Sequence, residues 1–564
     1  MPRTSAAQPK PNFGPNPRTL ATAFLFVSAA LCVVLLATRN LYDDEISSFN
    51  LILAPVHTII QYTAARDLHP PGMYLLSHFA YSILPSFRWM NIFPALLLYA
   101  GLTAFLLQVT PLFARTRAQI GLLLLATLDP QLLMWGATIR WYGWWTGLAL
   151  IALTVALQPS NPRPRIGPAR GLVLGLLLAC LFYLNYITFL FAFALAAAML
   201  LRYHAEPWRR LLVPALLAVA LFGVLIAPQL HTMITVHLPM ARADRTGLAA
   251  SFFRLLQSIA VSEAYLPWHP LAILAGLVFC ALCLAGLAAL LRWKRSRAIK
   301  PDAPAFNSAL ASITLFGILY FLLIAVTGLG GKPRSGLLLV PVLAVTAAWI
   351  LDTLRPSVQT AILLFFAAWS GVGIAHMIGR TGLTKSNMIG RPEEVVAFIQ
   401  QTSGDGCAVV VTYDANLAFA LDQSSLSRLL ILTPFDAATL GAARRLPDNG
   451  CAQTTLYAVT SYLGGDSDWE RSLTAELQSS TQFIQGPPLA RFFSFDPDAT
   501  RKRALARIPI LGRSLSHAAR LPDYRYVILS GPIDPASLAA MRQCMPDFIS
   551  GTSPATAHLT QPSD

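Results

Sequence analysis

The sequence predicts a polytopic α-helical membrane protein that carries a C-terminal α/β domain. Three observations predict it. Of 564 residues, 55% are hydrophobic and only 12% are charged, with a mean hydropathy of +0.55; soluble domains carry roughly 25% charged residues. Apolar runs of membrane-crossing length recur from Leu20 to about residue 378. Beyond Thr381 acids become frequent and no span-length apolar run follows.

The N-terminus, residues 1–19, is rich in Pro, Asn and basic residues and reads as a disordered cytoplasmic tail. Residues 20–380 form the membrane module. Spans are expected near 20–38, 89–111, 118–135, 142–159, 171–185, 187–201, 211–230, 268–291, 305–327, 335–352 and 358–378, about eleven in all. The run 171–201 is too long for one span and is split at Asn185-Tyr186. The stretch 70–85 is short and bounded by prolines, so it is expected to lie at the interface rather than cross.

Charge supports this layout. The net charge is +15, which in a soluble chain would raise nucleic acid as a partner. Here the clustered basic residues, including Arg115/Arg117, Arg163/Arg165/Arg170, Arg202/Arg209/Arg210 and Arg292 to Arg297, fall in short loops on one predicted side. That is the positive-inside pattern, so topology accounts for the charge and no nucleic-acid partner is expected. The N-terminus is then cytoplasmic and the C-terminal domain lies outside. Counting 70–85 as a span would invert every later loop.

The remainder, 381–564, reads as a soluble α/β domain of normal size. A helix starts at Arg391-Pro392-Glu393-Glu394, with Pro and acids in its first turn. Strands are expected at Cys407–Tyr413, Thr455–Tyr462, Phe492–Phe495 and Tyr524–Ser530, and helices at Trp469–Ser479 and Pro535–Cys544. Cys407, Cys451 and Cys544 fall here; outside the cytoplasm one disulfide is expected, and spacing does not choose the pair. Cys280 and Cys283 have redox-motif spacing but sit inside a span, where packing is the expected role.

Four polar constellations gather at the outer side. Asp43-Asp44-Glu45 follows the first span within the outer loop 39–88. Carboxylates beside a bilayer cost free energy unless a cavity, a partner or a chemical task holds them there. Crowding and desolvation would suit one of them to accept a proton from a hydroxyl. Next, Arg66-Asp67-Leu68-His69-Pro70-Pro71 closes that loop; the prolines stop one helix and set the chain's return to the bilayer, and His69 can bind phosphate or move a proton. Third, Arg140 and Tyr142 sit among Trp residues; an aromatic belt explains the rings, while the Arg fork matches phosphate or carboxylate. Last, Gly328 to Ser335 places Lys332 and Arg334 outside, against the charge bias, where they suit an anionic lipid headgroup. There is no Walker loop, no His-Glu-x-x-His and no nucleophile elbow.

This order of motifs resembles the GT-C superfamily of membrane glycosyltransferases, closest to the bacterial branch of protein O-mannosyltransferases and the lipid A aminoarabinose transferase. The resemblance rests on Asp44-Glu45 after the first span, Asp67 to Pro71 closing the first outer loop, Pro130 leading to Arg140-x-Tyr142, and Arg334 opening a late span. Two positions depart from the family pattern: Thr138 stands where an acid is often found, and Asn185-Tyr186 replaces a His-Tyr pair.

The resemblance implies an inverting transfer of a sugar from a polyprenyl-phosphate donor to a glycan, lipid or protein acceptor, at the outer face of the bacterial inner membrane. Asp44 and Glu45 are the implied catalytic carboxylates, Asp44 as base. Asp43, Asp67, His69, Arg140, Tyr142, Lys332 and Arg334 are implied to bind substrate. Some relatives use a divalent metal, which three adjacent carboxylates permit and do not require. The alternative is a lipid-linked saccharide transporter. It predicts polar residues spread along the spans, whereas these spans are nearly free of charge.

Overall fold

The computed structural model describes residues 15–41, 43–65, 67, 69–161, 167–203, 269–299, 305–327, 333–380, 391–404, 406–412, 414–422, 424–426, 428–432, 453–461, 484–485 and 526–533, with isolated positions between 215 and 265. Most of them form a bundle of apolar helices. Among the described residues, six stretches are long and apolar enough to cross a membrane: Pro17–Thr38, Trp89–Leu112, Thr116–Gly136, Pro270–Trp293, Ser308–Thr327 and Pro356–Gly379. Four shorter apolar helices accompany them: Trp141–Leu157, Pro168–Leu184, Thr188–Arg202 and Leu339–Leu351. Each corresponds to an expected span. The expected span 211–230 falls largely outside the described residues.

We label the helices in chain order. Helix α1 (Pro17–Thr38) starts where the Asn16 side chain accepts the Arg18 N–H and Pro17 fixes the first turn. Its last carbonyls have no intrahelical donor. Arg88 supplies one, with Nη1 donating to Leu36, Ala37 and Arg39 oxygens at 3.2, 3.4 and 2.7 Å. The next segment folds as α2 (Asp43–Leu53), α3 (Val56–Ala65) and α4 (Gly72–Ile83). Helix α4 has 12 residues. It reaches about 18 Å, well short of a bilayer core of about 30 Å, and Phe79 and Ile83 stay exposed on it.

Helix α5 (Ile92–Val109) packs on α8 (Trp141–Leu157) at backbone distance. A Cβ at Gly147 would fall on the Leu97 carbonyl, and one at Gly101 on the Gly147 carbonyl. Such small-residue seams are how helices associate where no water drives them together.

The expected span 118–135 is not one continuous helix. It breaks into α6 (Thr116–Thr127) and α7 (Pro130–Gly136). Pro130 cannot donate to the helix before it. Asp129 instead caps α7, its Oδ1 accepting from Gln131 and Leu132 N–H at 2.7 and 3.3 Å. The split at Asn185 is present: α9 (Pro168–Leu184) stops and α10 (Thr188–Arg202) begins, with Asn185 Oδ1 accepting the Ile187 N–H at 2.9 Å. Helices α11 (Pro270–Ile299), α12 (Ala305–Thr327), α13 (Leu339–Leu351) and α14 (Pro356–Gly379) complete the bundle.

After α14 comes a mixed sheet of strand order β2-β1-β3-β5-β4. Its members are β1 (Cys407–Thr412), β2 (Leu429–Leu432), β3 (Thr454–Ser461), β4 (Ile484–Gln485) and β5 (Tyr526–Pro532). Strand β1 is buried along its whole length and parallel to both neighbours, as its uninterrupted apolar run requires. Helices α15 (Pro392–Ser403) and α16 (Ala415–Asp422) flank it. The expected elements at 469–479, 492–495 and 535–544 lie outside the described residues. Cys407 is disulfide-bonded, while Cys32, Cys180, Cys280 and Cys283 are free.

Candidate active site

The end of α1, the start of α2 and the link between α7 and α8 meet at one end of the bundle. Their pin is a buried ion pair. Glu45 is fully buried, and Arg39 grips it with both guanidinium nitrogens, Nη1 to Oε2 at 2.7 Å and Nη2 to Oε1 at 2.8 Å. Glu45 Oε1 also accepts the Ile139 N–H at 3.1 Å, and Arg39 Nη2 donates to the Ala137 carbonyl at 2.9 Å. Burial alone would lower the Arg39 pKa; the facing carboxylate outweighs it and holds the pKa up. This geometry spends Glu45 on holding α2 to the 137–140 segment. Asp43 and Asp44 form the preceding positions of the same first helical turn; their side chains lie outside the described residues.

A second chain of bonds runs across the site. Arg140 precedes the first turn of α8 and is 8% exposed. Its Nη1 donates to Ser48 Oγ at 2.7 Å, one turn along α2 from Glu45. It also bonds the Tyr74 hydroxyl, which donates to Asp67 Oδ2 at 2.6 Å. Asp67 Oδ1 accepts the His69 N–H at 2.9 Å and lies 3.1 Å from His69 Nδ1.

Burial alone would raise the Asp67 carboxyl. The His69 ring and amide and the Tyr74 hydroxyl more than offset that and hold it at about 2, below its ordinary 3.8. Burial pushes the Tyr74 phenol well above its usual range, with Arg140 opposing and Asp67 adding to the rise, so Tyr74 stays a donor. Asp67 is therefore an anion, Arg140 a cation, and the pair is bridged by a neutral phenol.

Arg334 completes the described set. It sits in a 3-10 turn (Pro333–Gly336) just before α13 and is 4% exposed. Its guanidinium lies 5.0 Å from the Trp135 ring centroid and 5.6 Å from that of Tyr142. The two rings meet edge to face at 5.7 Å. The aromatics that a membrane belt would explain thus hold a buried cation. Lys332 lies outside the described residues.

Six predicted residues therefore make described contacts at this end of the bundle: Glu45 with Arg39 and Ile139, Asp67 with His69, Arg140 beside them, and Arg334 with Tyr142. Four contributors were missed from sequence: Arg39, Ser48, Tyr74 and Trp135. Arg39 had a signal, since a lone charged residue closes an otherwise apolar run. Ser48 lies one helical turn after Glu45 and shares its face. Among the described residues, no group of three or more His, Cys, Asp or Glu is arranged to hold a metal.

No protein-family model matches the sequence, and no curated protein matches it. Solved structures do. The crystal structure of ArnT from Cupriavidus metallidurans bound to undecaprenyl phosphate aligns with a TM-score of 0.51 at 14% identity, over 91% of this chain and 98% of that one. The apo state of the same protein aligns at 0.49, also at 14% identity over 91% and 98%. The arabinofuranosyltransferase AftD from Mycobacteria aligns at 0.40 and 11% identity, over 91% of this chain and 40% of that one. The chain therefore has the membrane-bundle fold of that undecaprenyl-phosphate-bound ArnT structure. In this fold, the acidic start of α2 and the Arg140 and Arg334 centres occupy one end of the helical bundle.

Proposed function

We propose that this chain transfers a sugar from a polyprenyl-phosphate donor to an acceptor hydroxyl at the outer membrane face, with inversion. The observation that carries the reading is the juxtaposition just described. An acidic helix start is pinned by Arg39–Glu45 against the segment that presents Arg140, with a second buried arginine held nearby by Trp135 and Tyr142. Likeness in fold to a structure holding undecaprenyl phosphate supports a lipid-phosphate donor. The disulfide at Cys407 supports an extracytoplasmic setting for the α/β domain.

In this reading Asp44 takes the proton of the acceptor hydroxyl as its oxygen attacks the anomeric carbon. The bond from that carbon to the phosphate oxygen breaks, and polyprenyl phosphate leaves with the electron pair. Attack opposite the leaving group inverts the configuration. Arg140 and Arg334 offset the charge that grows on the phosphate, in a site that excludes most water. Asp67 holds the His69 ring by its Nδ1 edge. Glu45 positions α2. The acceptor is a glycan, lipid or protein hydroxyl.

The test is sugar transfer by purified protein in nanodiscs, from a panel of labelled polyprenyl-phosphate sugars to membrane extract. Wild type is expected to transfer. Asp44→Asn is expected to lose about 10²- to 10⁴-fold in turnover, the usual worth of a positioned base, while still binding donor. Folded wild type that binds polyprenyl phosphate but neither transfers nor hydrolyses any donor would shift the reading to a transporter.

A further inference from the structure

Helix α8 joins the two ends of the bundle. It begins beside Arg140 in the candidate site and runs 17 residues to Leu157, about 25 Å away. At that far end a cavity of about 490 Å³ opens between α5, α8 and α9, within the size range of small-molecule sites. A helix length separates it from the candidate site.

The chain's exit from α8 is held in a fixed form. Gln158 stands in the left-handed region, at φ 44° and ψ 64°, which costs a non-glycine residue free energy unless its surroundings hold it. Its N–H donates to the Thr154 carbonyl at 3.0 Å and its Nε2 to the Tyr203 hydroxyl at 3.2 Å. Arg202, itself buried, fastens the carbonyls around it. Nε donates to Leu157 at 3.2 Å, and Nη2 to Gln158 and Asn161 at 3.4 and 2.6 Å. This turn sets Ser160 and Asn161 in the cavity lining, with Gln108 of α5 and Arg170 of α9.

The lining has a polar mouth and an apolar interior. The mouth offers the Arg170 guanidinium, two amides and a hydroxyl, and no carboxylate is among its described residues. An arginine fork matches a phosphate with parallel bonds. The Arg170 and Arg202 charges both reach the Tyr203 ring, so positive charge is concentrated here. Ser160 Oγ donates to Gln108 Oε1 at 3.4 Å, well beyond the usual length for two oxygens, so it loses little by turning to a better acceptor. The interior is formed by Val155 and Val173. Val173 continues into Leu172 and Leu176 on the exposed face of α9, a surface that acyl chains cover in a bilayer. A phosphate ester carrying acyl chains satisfies both parts; a soluble phosphate satisfies only the mouth.

We propose that this cavity seats an anionic glycerophospholipid, with its phosphate on Arg170 and the neighbouring donors and its acyl chains along α9. Basic pockets between spans are where such headgroups lodge. On the proposed topology the lipid belongs to the cytoplasmic leaflet. The binding itself rests neither on that topology nor on the transfer reading.

The experiment is native mass spectrometry of the full chain in a neutral detergent, reading the first bound lipid. The probes are dioleoylphosphatidylglycerol and dioleoylphosphatidylcholine, with glycerol 3-phosphate and inorganic phosphate as soluble competitors. The two lipids share phosphate and chains, but choline cancels the charge of the second. Phosphatidylglycerol is expected to bind at least about tenfold tighter than phosphatidylcholine, the worth of one charge-assisted hydrogen bond. Neither soluble phosphate, at the lipid's concentration, is expected to displace it. Arg170→Gln and Ala169→Glu each change an exposed side chain at the mouth. Each is expected to cut the preference about tenfold, and melting curves verify that each variant is folded. Equal binding of the two lipids would overturn the proposal, as would an undiminished preference in either folded variant. Displacement by a soluble phosphate would overturn it too, and would make the cavity a site for a free phosphate ester.

Discussion

Asp67 shows how one side chain is tuned by neighbours from its own loop and the following helix. Its depressed pKa has a definite consequence for stability. The folded value of about 2 lies below the ordinary 3.8, so the stabilisation is present above pH 3.8 and drains away as pH falls toward 2. The shift corresponds to about 2 kcal/mol. Asp67→Asn is expected to melt lower than wild type at neutral pH, with the gap closing as pH falls to about 2; melting curves across that window check it. Arg334 offers a second residue-scale test. Its flat guanidinium lies against Trp135 and Tyr142, and lysine cannot reproduce that stacking. Arg334→Lys is expected to raise donor KM about tenfold while circular dichroism stays unchanged.

At the scale of elements, the informative feature is the join between α1, α2 and the α7–α8 link. Removing one member of a buried ion pair strands the other and costs about 3–5 kcal/mol, while replacing both by apolar residues costs far less. Glu45→Gln and Arg39→Met are therefore each expected to lower the melting temperature sharply, and the double variant Arg39→Met/Glu45→Met to recover most of the loss. A double variant no better than the worse single would show that the bonds to Ala137 and Ile139 outweigh the pair itself. The α5–α8 seam is a second element-scale device. Gly147→Leu is expected to abolish monodisperse folded protein, because its side chain has only the Leu97 backbone to occupy; size-exclusion profiles report this directly.

For the whole molecule, the testable property is sidedness. The basic residues Arg115 and Arg202 belong to one end of the bundle. There Arg115 bonds Asp352 and Leu354 beyond α13, and Arg202 bonds Ser308 at the start of α12. The candidate site and the α/β domain occupy the other end. Single cysteines placed in the N-terminal tail and at Gln400 on α15, in a cysteine-free background, are expected to label oppositely. A membrane-impermeant maleimide on intact spheroplasts should reach Gln400→Cys and not the tail. Labelling of both or neither would overturn the proposed topology.

Periodicity was not needed to place the described apolar helices: run length sufficed, because the bilayer fixes span length. The break at Asn185, the interfacial length of α4 and the strands β1, β3 and β5 were likewise legible, each from a local signal. The break inside 118–135 was legible in principle, since Asp129-Pro130 is a helix-start signature, but the surrounding hydropathy masked it. What sequence could not decide was partnership. Asp43, Asp44 and Glu45 are equivalent as a string of acids, and only folding matches Glu45 with Arg39 and with an amide about ninety residues away. Likewise, chain order separates Arg334 from Trp135, and Phe87 from Phe419, by hundreds of residues. Short-range chemistry sets spans, caps and turns, so the sequence determines them by itself. Contacts between distant segments depend on how the helices pack, and only the tertiary structure decides those.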